Sequence, residues 1–454
     1  MIKQNKNINW EENQMKNLKK FATLFLTVAM TFVMTACGGG SGSGNSGNKD
    51  GDKAAEAVTV TEPIEIEFWH TLSGESATAL DEMIADFNST NEYGITVKGT
   101  YQGSYYDVLS KVTASYGTDT APAICVLGAG GIEEIADQDA LADFSAYVER
   151  DNYDLENIPE SLRFYMEHYD GKVIEFPFLV STAVIYYNKT LMPETPTTLE
   201  DWTAKAKAIH TANPDVYGMA MSLDTGFIQR PILKSLGAPG LTSEDGNSPA
   251  AIDDGSLKKY MSDWKSWIDE GYCVGLKVTD TTSQMNSQFT QGKLASIVSS
   301  TANMDNYEQL AKDGGFELGV AEMVGYGGNH AAIGGGGLCV LDTVTAQEQA
   351  ASWEFIKYIL SDEAQIKLHK ASDYIPCTYS AREVEELKTY WAEHPGFEVA
   401  SKQLEYATYN EWSPYLSEWR TQVGNCFTAV LVDGSMTPDE AIEFLKNQAT
   451  VIFP

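Results

Sequence analysis

Four stretches combine aromatic rings with hydroxyl-bearing or small residues. They are Phe68-Trp69-His70, Tyr101-Gln102-Gly103-Ser104-Tyr105-Tyr106, Phe176-Pro177-Phe178 with Ser181, and Tyr374-Ile375-Pro376. A ring supplies an apolar face, and hydroxyls and amides supply fixed hydrogen bonds; together they suit a polyhydroxylated ligand. Taken singly, each aromatic also reads as core. Their shared position at strand ends and loops sets them apart. Catalytic patterns are missing: there is no G-x-S-x-G, H-E-x-x-H, C-x-x-C or Walker A sequence. The 6 His, which include His70, never fall at a metal-ligand spacing, so no metal or cofactor is expected. Five cysteines follow Cys37 (Cys125, Cys273, Cys339, Cys377, Cys426), an odd number that leaves at least one thiol free or externally paired.

The elements that must position these residues are legible from periodicity. Ile64, Ile66 and Phe68 alternate with Glu65, Glu67 and Trp69, which predicts a strand. Leu80, Ile84 and Phe87 predict a helix over 76–88. A strand at 95–97, a helix over 106–116 and a buried strand at 123–127 follow. This alternation predicts a doubly wound α/β lobe. Two further strands are expected at 173–178 and 183–187, after which the chain becomes mostly helical. Caps begin helices at Thr198, Thr345 and Thr437, and another helix is predicted over 255–270. The sum is two lobes, the second more helical than the first.

Lys16 to Lys20 precede an apolar run, Phe21 to Val33, and then Met34-Thr35-Ala36-Cys37. This is the layout of a secretory signal, and the run is too short for a comfortable membrane span. Small residues before Cys37 resemble a bacterial lipobox, so residues 1–36 are expected to be removed and Cys37 lipidated. Met15 offers a second start. Residues 37–61, rich in Gly and Ser, read as a flexible tether. Their match to G-x-G-x-x-G at 42–47 lacks the strand and helix that a dinucleotide site requires.

The formal charge is −33, and losing residues 1–36 removes five Lys and two Glu, taking it to −36. So acidic a body repels polyanions, which excludes nucleic acid and broad adhesion to anionic lipid. It also disfavours an anionic ligand unless a local cation offsets the field.

The chain resembles the family 1 extracellular solute-binding proteins of ABC importers, most of all their glycerol-3-phosphate-binding branch. The aromatic stretches carry this together with Thr120-Ala121-Pro122-Ala123, Tyr186-Tyr187-Asn188-Lys189, Phe289-Thr290-Gln291-Gly292-Lys293, Ile333-Gly334-Gly335 and Trp353 to Tyr358. Their order runs from about residue 64 to the C-terminus. The resemblance implies a non-enzymatic, two-lobed α/β binding protein of type II that closes on ligand and docks on a permease. It implies a monomer, held at the extracellular face by its lipid alone. Crossovers are expected near 176–181, 299–302 and 341–345, giving a first lobe of 62–180 plus 300–344 and a second of 181–299 plus 345–454.

Carried over by position, the family's pocket falls on Tyr105, Ser181, Ser300, Gly335 and Tyr374, with His70 and Phe227 beside it. Two positions depart. Ala129 stands where the family has a pocket Glu, and Trp412 where it has the phosphate-binding Arg; Arg420 lies two helical turns later. A phosphate site without its Arg loses its best bidentate partner. The expected ligand is therefore a neutral sugar or oligosaccharide, with glycerol 3-phosphate or a phosphodiester as the alternative. A tethered glycoside-active enzyme and a surface sensor stay open as other classes. The Gly334–Gly337 run reads as a close-packed crossover rather than an anion nest.

Overall fold

A computed structural model describes residues 57–167, 169, 171–223, 225–276, 281–409 and 411–454. The expected signal, Cys37 and most of the expected tether lie outside the described residues. Among the described residues, nine strands are joined through one long strand, β4. On one side lie β1 (Ile64–His70), β2 (Ile95–Tyr101), β3 (Ile124–Gly128), β9 (Ile333–Val340) and the first half of β4 (Phe176–Asn188), in the order β2-β1-β3-β9-β4. On the other, the second half of β4 pairs with β7 (Ser296–Ser300) and β8 (Leu318–Glu322). Strands β5 (Met219–Ser222) and β6 (Cys273–Leu276) extend that side beyond β7.

The early strand–helix alternation is observed, with β1, β2 and β3 parallel and helices Glu75–Thr90 and Tyr105–Ser115 between them. Helix Ser256–Asp269 follows Gly255, and complete capping boxes start helices Ala346–Ile359 and Pro438–Ile452. At Thr198 only half of the box forms: its hydroxyl accepts the Asp201 amide, while the Asp201 carboxylate takes the Thr197 amide instead. The two strand segments expected at 173–178 and 183–187 are one strand of 13 residues, buried throughout. Pro177 is accommodated by a register shift between Pro177 and Leu179. Strand β9 runs antiparallel between β3 and β4 because it is the chain returning from the other lobe.

Two expected lobe boundaries need correction. Residues 300–322 stay with the second lobe: β8 pairs with Val184–Asn188, and Met304 and Tyr307 share a core with Tyr186. The return crossing therefore falls between Glu322 and Ile333, not at 299–302. Residues 346–372 pack mainly on the first lobe, so 341–345 is not a crossing either. Trp353 and Phe355 are fully buried in the core that holds Phe68, Phe144 and Phe176. The Trp353 ring lies 5.4 Å from Phe176 and 6.1 Å from Phe144, and its Nε1 donates to Asp151 at 2.7 Å. Each such ring pair contributes about 0.5–1.5 kcal/mol beyond burial, and these contacts hold the helix on the first lobe.

Candidate functional site

Tyr105 is the first residue of a helix whose N-cap, Ser104, forms a capping box with Asp107. That cap fixes where the helix starts and so where the ring points. The ring lies over two glycines: a Cβ on Gly336 would sit 2.6 Å from Tyr105 Cε1, and one on Gly128 3.4 Å from Tyr105 Cγ. Tyr374, which follows helix Asp362–Ser372, faces Tyr105 hydroxyl to hydroxyl. Burial raises both phenol pKa values. Thr71 also stands beside Tyr105, yet Tyr105 Oη is buried and makes no well-formed hydrogen bond. A buried hydroxyl in that condition has unused donor and acceptor capacity.

Ser181 lies on β4 opposite Gly334 of β9. A Cβ on Gly334 would sit 2.6 Å from Phe227 Cε2 and 3.1 Å from Ser181 Oγ, so Phe227 reaches this strand junction from the second lobe. Phe227 is carried on a π-helical turn, Thr225–Gln229, which continues into helix Arg230–Ser235. Gly335, at φ 101°, pairs with Val180; a Cβ there would meet Leu179 O at 1.6 Å. The glycine run is therefore strand-forming backbone that admits Tyr105, Phe227 and the buried Glu175 at contact distance, the close-packed alternative of the two considered.

Ser300 pairs with Ala183, and its hydroxyl accepts the Ala302 amide at 3.2 Å, capping the turn that leaves β7. His70 is buried beside Phe68 and Tyr101, and desolvation lowers its pKa. It is Thr71, its neighbour, that reaches Tyr105. The Trp412 indole stacks on Tyr169 at 5.4 Å and donates to Asp137 at 3.0 Å, so one face of the expected platform is covered. The Arg420 guanidinium lies against Gly226, one residue before Phe227: a Cβ on Gly226 would sit 2.4 Å from its nearest nitrogen. Helix Leu416–Leu431 thus brings a cation to the Phe227 turn.

The family model for bacterial extracellular solute-binding proteins matches residues 82–396. The chain belongs to that family. This solute-binding protein is 23% identical over 355 residues to the sn-glycerol-3-phosphate-binding periplasmic protein UgpB of Rhizobium meliloti, covering 75% of this chain and 81% of that one. In structure it is similar to the sugar-binding protein MalE of Xanthomonas citri, with a TM-score of 0.75, 21% identity, and coverage of 86% and 97%. UgpB of Mycobacterium tuberculosis, in complex with glycerophosphocholine, gives 0.73, 18%, and coverage of 86% and 98%. The two-lobed type II fold of these binding proteins is shared.

Two buried polar devices near these candidate residues escaped sequence reasoning. Gln403, fully buried, donates to Thr182 Oγ1 and Ala183 O at 2.8 Å each and accepts from the Met323 amide at 2.6 Å. It therefore holds β4 to the strand that leads back to β9. Buried Arg230 lies 3.4 Å from Glu411 and donates to Thr408 O at 2.6 Å. That pair ties the Phe227 helix to the segment bearing Trp412. Neither has a local signal, because the partners are 80 to 221 residues apart in sequence.

Proposed function

We propose that this chain is the lipid-anchored substrate-binding protein of an ABC importer and that it captures an uncharged sugar or oligosaccharide. The reading is supported foremost by Tyr105 Oη, buried without a well-formed partner in the same neighbourhood as Tyr374, with Phe227 and Ser181 at the adjoining strand junction. Rings and hydroxyls drawn from both sides of the β4 crossover suit a ligand with an apolar face and a polar rim. A ligand that touches both lobes binds the closed form better and shifts the population toward it. The closed form then presents itself to a permease, and no bond in the ligand is broken. Cys37 carries the lipid, and the tether holds the body at the extracellular face; Cys37→Ser moves the protein from the membrane to the soluble fraction.

A polyol phosphate is the second reading, favoured by Arg420 beside the Phe227 turn. Calorimetry of the purified protein against neutral sugars, glycerol 3-phosphate and glycerophosphodiesters separates the two. A neutral sugar is expected to bind, and Arg420→Ala to leave that affinity within about twofold. Binding of glycerol 3-phosphate alone, lost in Arg420→Ala, would replace the sugar by the phosphate. Turnover of a glycoside would overturn the binding-only reading.

A further inference from the structure

Away from the cleft, three side chains from distant parts of the chain converge. Asp305 and Glu308 lie on helix Met304–Gly314, and His394 ends helix Glu385–Glu393. Their ligand atoms all lie within 4.8 Å of one another, with His394 Nδ1 2.8 Å from Glu308 Oε2. The His394–Glu308 contact joins two of the three, and Asp305 is an exposed acid in the first turn of its helix. A fourth group bears on the question. Asp373 is only 6% exposed, and its Oδ1 is buried without a hydrogen-bond partner. Its Oδ2 accepts the Asp305 backbone amide at 2.9 Å, so the carboxylate lies at the start of the helix that carries Asp305 and Glu308. Asp305, Glu308 and His394 are the charged groups around it. Three carboxylates and one imidazole are therefore neighbours, and a cation bound among them would offset the negative charge.

We propose that Asp305, Glu308 and His394 bind a divalent transition cation of the zinc class, with the Asp373 carboxylate supporting them from behind. The imidazole nitrogen selects against calcium and magnesium, which take oxygen ligands, and the absence of thiolate favours a mixed nitrogen–oxygen site open to water. The position has a consequence. Asp373 directly precedes Tyr374 of the solute site, and Asp305 lies on the second-lobe helix that follows the Ser300 turn. The cation therefore joins the Tyr374 segment to the second lobe.

The test is titration of ZnCl2 into the EDTA-stripped full-length protein, followed by calorimetry and by thermal unfolding. One equivalent is expected to bind and to raise the melting midpoint by a few degrees, whereas CaCl2 does neither. Glu308→Gln and His394→Ala are each expected to weaken Zn2+ at least about 10-fold, and Asp373→Asn about 10-fold as a supporting group. Each variant is compared with its own chelated baseline, so a loss of stability is not read as a loss of metal. No Zn2+ binding, binding undiminished in both His394→Ala and Glu308→Gln, or a response to Ca2+ in place of Zn2+ would each overturn the proposal.

Discussion

Tyr105 and Tyr374 sit 269 positions apart, yet their hydroxyls face each other. Removing Tyr374 by substitution with Ala deletes a ring and a hydroxyl from the same spot and is expected to lose at least about 1 kcal/mol of solute affinity, as buried aromatic anchors do. Tyr105→Phe keeps the ring and isolates the hydroxyl. Unchanged calorimetric affinity in both variants would remove the site. Trp412→Ala is expected to act mainly on stability, since the indole is already stacked on Tyr169 and bonded to Asp137. Gly335 is the least replaceable residue nearby. Its φ of 101° and the 1.6 Å approach of Leu179 O leave no room for a methyl group. Gly335→Ala is expected to cost several kcal/mol of stability, at least about 2, through combined strain and overlap; denaturant unfolding measures it.

At the scale of elements, buried polar contacts hold the site-bearing segments. Arg230 and Glu411 are 0% and 6% exposed in their side chains. Glu411→Ala removes a buried carboxylate from Arg230, which keeps its bonds to Thr408, and is expected to cost about 1–3 kcal/mol, read as a lower midpoint in urea, and to weaken solute binding through Phe227. His369 supports Tyr374 in another way. Its Nδ1 lies 2.9 Å from Tyr374 O, and its Nε2 accepts from Trp391 Nε1 at 2.9 Å. The ring is therefore neutral with the proton on Nδ1. Desolvation lowers its pKa to about 4 from the usual 6.5. Because the folded value is depressed, the stability it contributes is fully present above pH 6.5 and is lost as pH falls through about 4. Ring NMR is expected to show His369 neutral at pH 5; a titration near 6.5 would contradict this tautomer.

For the molecule as a whole, the two lobes share β4, and the described cysteines are all free and buried, so no crosslink limits their motion. Ligand-driven closure is expected to reduce the radius of gyration in solution scattering. It should also stabilise the protein: a ligand at 100 times its dissociation constant adds about 2.7 kcal/mol. A sugar that binds without compaction would show that the site does not span the lobes. The formal charge of −33 argues for a neutral solute at long range, while Arg420 supplies a cation at short range. Salt dependence of the affinity reports which field the ligand meets, and a neutral sugar is expected to show little.

Much of the fold was legible in the sequence because strands and helices follow local rules. Alternation marked β1, an apolar run bounded by Pro122 and Gly128 marked β3, and Thr345 and Thr437 marked helix starts. The family motifs ran in order, and they nominated Tyr105, Ser181, Phe227, Gly335 and Tyr374 one residue at a time. What local rules do not encode is which distant segments meet. Helix Ala346–Ile359 joined the first lobe because Trp353 and Phe355 complete an aromatic core there, and 300–322 stayed with the second because β8 pairs with β4. Gln403, Thr71, the Arg230–Glu411 pair and the grouping of Asp305, Glu308 and His394 depend on contacts tens to hundreds of residues apart. Residue types and periodicity settled the elements, whereas packing and buried polar pairing, which act only through the closed chain, decided where those elements converge.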